Sequence, residues 1–335
     1  MMSKDPRSLR RAAMGMAVAL FAVVAAAAIA RGAPQESDAE IRAAMAWAFP
    51  QNPAANPQAA TPDDRTPLHL PGSARAYTRA QIGNMSAAPD WWPQDHPPMP
   101  QIVARGRGQA WACAYCHLPN GQGRPENAAL AGLPAAYIIE QVRAFRSGER
   151  ASTRSTAKFM RAEVRQVSDA DLKVAADYFS KLKFKPWTRV IETATVPKTR
   201  IEHWMLVPIP GAGSEPIGTR IIETATDPQR TDLRDARSGF VAYVPPGSIA
   251  RGRILATRGQ GVMQPCVACH GADLRGVGNI PPLAGRSPTY IVRQLLLFQN
   301  GGRRGPATLP MQQEASKLTL NDMIAVAAYA ASRQP

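Results

Sequence analysis

A chain of 335 residues is long enough for two domains, and a formal net charge of +15 favours partners or surfaces of negative potential. The arginines and lysines are scattered, with no basic run carrying interleaved aromatics, which argues against nucleic acid as a partner. Lys4, Arg7, Arg10 and Arg11 open the chain and precede an Ala- and Val-rich run, Ala12 to Ala30, that ends in Ala28-Ile29-Ala30. This reads as a cleaved export signal over residues 1–30, which places the remainder outside the cytoplasm. Retention of the same run as a single N-terminal anchor is the alternative, because its length approaches that of a bilayer span.

Residues 31–100 form a Pro-rich arm. Ile41 to Phe49 has the spacing of one short amphipathic helix, and the rest is expected as extended loop broken by proline. Trp91-Trp92 is expected to pack this arm onto the domain that begins at about residue 101, with a partner-docking patch as the alternative.

Cys113-Ala-Tyr-Cys116-His117 comes next, and Cys266-Val-Ala-Cys269-His270 echoes it; the two motifs use all four cysteines. Cys-x-x-Cys-His is the attachment pattern of c-type haem. Cysteines three apart share a helix face, and the adjoining histidine faces the iron. Paired Cys-x-x-Cys elements also bind zinc, but zinc ribbons bring their pairs within about 15–20 residues. Here 150 positions separate the pairs, and each carries its own histidine. A thioredoxin-like pair needs no histidine there.

The motifs belong to an internal repeat. A shift of 153 carries Arg105, Gly106 and Gly108 onto Arg258, Gly259 and Gly261, and Tyr137, Gln141, Phe145, Gly148 and Arg150 onto Tyr290, Gln294, Phe298, Gly301 and Arg303. A shift of 151 then carries Met160, Ser168, Asp171 and Tyr178 onto Met311, Thr319, Asp322 and Tyr329. Two copies of one domain are implied, over 101–185 and 250–335. Each copy is expected to be helical. One helix runs into each motif from about Pro100 or Gly247, with Gly106 and Gly259 admitting a close partner helix. A second covers Tyr137–Ser147 or Tyr290–Asn300. A third is capped by Ser168 or Thr319 with an acid three positions on.

Between the copies, residues 186–249 are expected as a connector of short strands. Ile191-Glu-Thr-Ala-Thr recurs as Ile222-Glu-Thr-Ala-Thr, and Val241-Ala-Tyr-Val-Pro-Pro reads as an edge strand.

The second axial position decides the chemistry. Met160 and Met311 are the candidates, because gap-filling methionines need not align across a repeat. His69, His96 and His203 are spare and have no counterpart in the other copy. Bis-histidine ligation through one of them is the weaker alternative.

Together these features resemble class I cytochrome c, and two such units in one exported chain resemble the tandem di-haem cytochromes. The resemblance covers about 101–185 and 250–335. It implies a mainly α fold of two cytochrome c domains, each a few helices around a covalently bound haem c, joined by the strand-rich connector. Two haems are implied, attached through Cys113, Cys116, Cys266 and Cys269, with His117 and Met160, and His270 and Met311, as axial ligands. In such proteins a proline carbonyl commonly takes the other proton of the proximal histidine; Pro281-Pro282 stands at that place in the second copy and Ala128-Ala129 in the first. The implied function is periplasmic electron transfer between a dehydrogenase or respiratory complex and a terminal oxidase or other carrier, through acidic partner surfaces. Membrane association through the N-terminus or an anionic surface is also implied. A cytochrome subunit of a dehydrogenase is the nearest alternative, and a di-haem peroxidase the more distant one.

Overall fold

The computed structural model describes residues 44, 46–53, 65–152 and 156–335. The export signal expected over residues 1–30 lies outside the described residues. Of the helix expected at Ile41 to Phe49, Ala44 and residues 46–48 are helical. Residues 39–335 form one compact unit.

The arm contributes a two-residue ribbon, β1 (Leu68–His69) with β2 (Ala76–Tyr77), and a short helix α1 (Arg79–Gly83) closed by a Thr78–Gln81 capping box. Trp91 and Trp92 are buried with Leu70, Ile82, Leu118 and Ala236. Their indole N–H groups donate to Leu233 O (2.7 Å) and Asp235 Oδ1 (2.6 Å). They therefore pack the arm on the connector and on the residue after the first motif, since a buried indole N–H needs an acceptor.

The first copy holds α2 (Gln101–Ala104), α3 (Cys113–His117), α4 (Ala135–Ser147), α5 (Ala157–Glu163) and α6 (Asp169–Lys181). After the short helix α7 (Pro228–Asp232) of the connector, the second copy repeats the series. Its helices are α8 (Ser248–Arg258), α9 (Val267–His270), α10 (Pro288–Gln299), α11 (Leu309–Ala315) and α12 (Leu320–Ser332). About half of the second core comes from side chains of α10 and α12.

Three expectations are corrected. The helices entering the motifs stop short of them, because Gly106 (φ +65°) and Gly259 (φ +70°) turn the chain. A Cβ at either would lie 2.0 Å from Ala110 O or 2.2 Å from Met263 O, so these glycines serve a turn and not a helix crossing. The close crossing is at Gly252 of α8, where a Cβ would meet Ala325 O of α12 at 1.9 Å. Finally, Phe240–Val244 (β9) is a central strand, parallel to β3 (Thr188–Glu192) and antiparallel to β8 (Ile222–Ala225). Its unbroken apolar run suits burial on both faces, and its prolines lie beyond the pairing. The two Ile-Glu-Thr-Ala-Thr segments flank it, Ile191 and Ile222 both standing opposite Tyr243.

The remaining connector strands pair as antiparallel ribbons, β4 (Thr195–Pro197) with β7 (Ser214–Pro216) and β5 (Thr199–Glu202) with β6 (Met205–Pro208). His203 (φ +49°) and Trp204 (φ +64°) turn the second ribbon in a left-handed pair, the form that matches strand twist.

Asp322 closes the Thr319 capping box and accepts from Arg251 Nε at 3.1 Å. Burial raises its pKa, but the Thr319 and Arg251 donors outweigh that and hold it below the ordinary carboxylate value. Its stabilising contribution is therefore present above about pH 3.8 and is lost as pH falls through the lower folded value. Asp322→Ala is expected to cost about 1–2 kcal/mol at neutral pH in urea unfolding, and the deficit is expected to shrink in acid.

Candidate haem-binding sites

Each motif forms a short helix that ends at its histidine. His117 is buried, and its Nδ1 lies 2.8 Å from Ala128 O; His270 is buried, and its Nδ1 lies 2.9 Å from Pro281 O. A carbonyl only accepts, so in each ring Nδ1 carries the proton and Nε2 keeps its lone pair. The alanine carbonyl of the first copy thus stands where the proline carbonyl stands in the second. Burial lowers the pKa of both imidazoles, which keeps them neutral and able to ligate.

The residue after the histidine needs a positive φ in both copies. The second has Gly271 (φ +83°), whereas the first has Leu118 (φ +64°), a conformation costing about 1–3 kcal/mol for a residue with a Cβ. Burial of the Leu118 side chain beside Trp91 and Trp92 offsets that cost.

A cavity of about 770 Å³ adjoins the first motif. Cys113, Cys116, His117 and Met160 all line it, with Leu172 and Phe179 among its apolar walls. Burial pushes the Cys113 thiol up to about 12 and the Cys266 thiol up to about 11, so neither is a thiolate at neutral pH. Among the described residues no three His, Cys, Asp or Glu side chains converge to hold a metal ion. The donor set fits a covalently attached porphyrin: two thiols and a neutral imidazole on one helix face, beside an apolar cavity that also holds a thioether. In the second copy Met311 is half-buried against the main core, on the counterpart of the Met160 helix.

Two residues that sequence reasoning passed over fix those methionine helices. Glu163 Oε2 accepts from the Trp111 amide at 2.9 Å, and Glu314 Oε2 accepts from the Gln264 amide at 2.9 Å. Each carboxylate sits three residues beyond its methionine and holds the segment two residues before its first cysteine. The signal was present, since Glu163 falls on Glu314 under the same shift of 151 as the methionines. Glu163→Ala is expected to loosen Met160 while leaving Met311 intact, with a loss of about 1–2 kcal/mol in stability. With Met160 as ligand of a bound haem, exogenous imidazole should then bind that centre faster than in the parent, as monitored by visible absorption.

The roof of the first cavity comes from outside the repeat. Phe49, Arg79, Trp204 and Arg234 line it. Trp204 stands edge-on to Phe159 at 5.5 Å between centroids, next to Met160, and Lys158 lies over the Trp204 ring. His203 reaches the same rim, 3.4 Å from Asp232. His96 is engaged with Asp90 and Tyr178, and His69 lies exposed in β1.

Connector and arm also bury the loop after the first motif. Asn120 donates to Ala236 O, Arg124 to Thr231 O, and Trp187 to Gly123 O. In the second copy the same loop is bare: Val277 is 59% exposed, whereas its counterpart Arg124 is 8% exposed.

The family model described as cytochrome c matches residues 256–334. The chain is 35% identical over 80 residues to cytochrome c-554(548) of Halomonas halodenitrificans, spanning 24% of this chain and 96% of that protein. It is 27% identical over 240 residues to a thiosulfate dehydrogenase electron acceptor of Thiomonas intermedia, spanning 70% and 84% of the two chains. Against cytochrome c4 of Pseudomonas aeruginosa the figures are 24% over 233 residues, 68% and 86%.

Proposed function

The chain belongs to the cytochrome c family, among the tandem class I cytochromes, and on that premise we propose that it is a periplasmic di-haem electron carrier. It takes electrons from a dehydrogenase or respiratory complex and passes them to a terminal oxidase or another carrier. The observation that carries this reading is the mirrored pair of sites. In both, a buried histidine is fixed through Nδ1 at the same carbonyl position, and a methionine helix is tied back to the motif by a carboxylate.

In this reading Cys113, Cys116, Cys266 and Cys269 form the thioethers, and His117 with Met160 and His270 with Met311 close the axial positions. Haem, when bound, supplies the one-electron iron couple. The chain supplies burial, fixed geometry and exclusion of water, and with both axial positions filled it acts as a carrier rather than a catalyst. Residues 101–185 and 250–335 act as the two haem domains and 186–249 as the connector. Residues 31–100 act as the arm, and 1–30 deliver the chain to the periplasm.

Two relatives are named as electron acceptors of thiosulfate dehydrogenase, which makes a sulfur-compound dehydrogenase the favoured class of donor. The bare rim of the second copy, with Val277, Ile280 and Leu309 exposed between segments carrying exposed Arg253, Arg258 and Arg275, suits an acidic partner surface. Transfer to such a partner should slow as salt rises.

Mass spectrometry of the mature chain tests the reading first, with two porphyrins added as the expected result. Redox titration should resolve two unequal midpoints, the higher at the more buried first site, because low dielectric disfavours the extra charge of the oxidised centre. Absence of porphyrin mass, or rapid cyanide binding to the resting protein, overturns it.

A further inference from the structure

The pentapeptide Ile-Glu-Thr-Ala-Thr occurs twice in the connector, and its two glutamates do the same thing at two different helices. Glu192 Oε1 accepts from the Ile249 amide at 2.7 Å, and Glu223 Oε2 accepts from the Thr289 amide at 3.3 Å. Ile249 and Thr289 are each the second residue of a helix in the second copy, α8 and α10. Amides in a first turn have no partner within their own helix, so each glutamate supplies an acceptor from outside. At α8 the capping position is Gly247, which has no side chain to offer. At α10 Glu223 also accepts from the capping hydroxyl of Ser287 (2.6 Å), and its Oε1 accepts from Thr188 Oγ1 of β3 (3.3 Å).

The sheet register explains the matching roles. Ile191 and Ile222 stand opposite Tyr243 on either side of β9, so Glu192 pairs with Val244 and Glu223 with Ala242. Side chains alternate along a strand, which puts both glutamates on the face of Ala242 and Val244. That face is built into the second core, where both residues are fully buried, and Glu223 is itself 2% exposed. The β5–β6 ribbon joins the same body, since Leu206 packs both on that core and on Ile222. Its turn meets the first copy instead. There His203 and Trp204 line the first cavity, with Trp204 against Phe159, the neighbour of Met160.

We infer that Glu192 and Glu223 are positioning residues that fasten the connector to the second copy, so that the turn carrying His203 and Trp204 is held as a cover on the first cavity. The second copy thereby governs what reaches the first site from solvent. The fastening stands on the hydrogen bonds alone, whereas the effect on ligand entry rests on the reading of the first cavity as a haem site. Glutamine can fill the same role at position 223. Its Oε1 can take the Ser287 and Thr289 donors while Nε2 donates to Thr188 Oγ1. Alanine removes the acceptor and leaves buried donors unpaired.

The test uses the haem-loaded full chain, with porphyrin mass measured first as the separate check on the haem reading. Hydrogen–deuterium exchange followed by mass spectrometry then compares the parent with Glu223→Ala and Glu223→Gln. Glu223→Ala should exchange about tenfold faster over 199–208 and at the start of α10, the factor that follows from leaving a buried donor unpaired. The arm ribbon over 68–77 should keep the parent rate, and Glu223→Gln should restore slow exchange throughout. Ligand entry is read in the Met160→Leu background. Adding Glu223→Ala should quicken imidazole binding at the first centre by a similar factor, as should adding Trp204→Ala, while the second centre stays closed. Parent-rate exchange over 199–208 in Glu223→Ala overturns the fastening. Faster exchange there with imidazole entry unchanged overturns the cover. Should Glu223→Ala not fold, Glu192→Ala takes its place at the exposed bond, with a smaller factor expected at α8 and over 199–208 and the same results overturning it.

Discussion

With haem bound at both motifs, Met311→Leu is expected to convert one of the two iron centres, and only one, to a form that binds added cyanide or imidazole rapidly. Leucine keeps most of the volume that Met311 fills against the second core, so packing is largely retained and the thioether alone is removed. Without the soft sulfur that favours reduced iron, the midpoint of that centre should fall while the other stays in place. Visible spectra should show about half of the haem changed, because the two sites are separate. Met160→Leu should produce the complementary result, with His203 and Trp204 at the rim slowing the entry of larger ligands. If neither substitution alters ligand binding, the methionines are core residues and both assignments fall together. Met311→Ala is the less informative variant, since it adds a packing loss to the ligand loss.

Gly252→Val is expected to give a large loss of stability. A Cβ at Gly252 would stand 1.9 Å from Ala325 O and 2.8 Å from Tyr329 Cβ. The first obstacle is backbone of a buried helix, so no rotamer change relieves it and α8 must move away from α12. Ala256 and Leu255 of α8 are buried in the same core as Ala325, and separation loosens all of them. Overpacking of this kind costs about 3 kcal/mol. Urea unfolding of the haem-loaded protein measures it, with Ile254→Ala on the exposed side of the same helix as the control. Ile254 is 49% exposed, and its loss should stay within about 0.5 kcal/mol. A Gly252→Val protein as stable as the parent would mean that α8 does not pack on α12 in this way.

The two corrections to the glycine roles have one physical origin. Gly106 and Gly259 attract notice because they repeat, and a repeated glycine reads equally as a turn or as a close crossing. Only a φ of +65° or +70° separates the two. Gly252 aligns with Met99 and so carries no repeat signal. Its role depends on the position of another helix some seventy residues away. The central placement of Phe240–Val244 escaped for a related reason. A short apolar strand next to prolines suits an edge as well as a centre until its neighbours on both sides are known.

What the chain wrote into its own order is the set of candidate site residues. The Cys-x-x-Cys-His spacing, the doubled pattern and the aligned methionines are local or periodic, and such features survive without knowledge of the fold. Folding alone decided the rest. It selected Ala128 O and Pro281 O from the two carbonyls expected at each place, and it made the aligned Glu163 and Glu314 into ties between each methionine helix and its motif. It also covered one site with the connector and left the other bare, and it brought Arg150 against Arg303. These are contacts between residues 11 to 153 positions apart, and their free energies depend on burial and distance, neither of which is a property of sequence spacing.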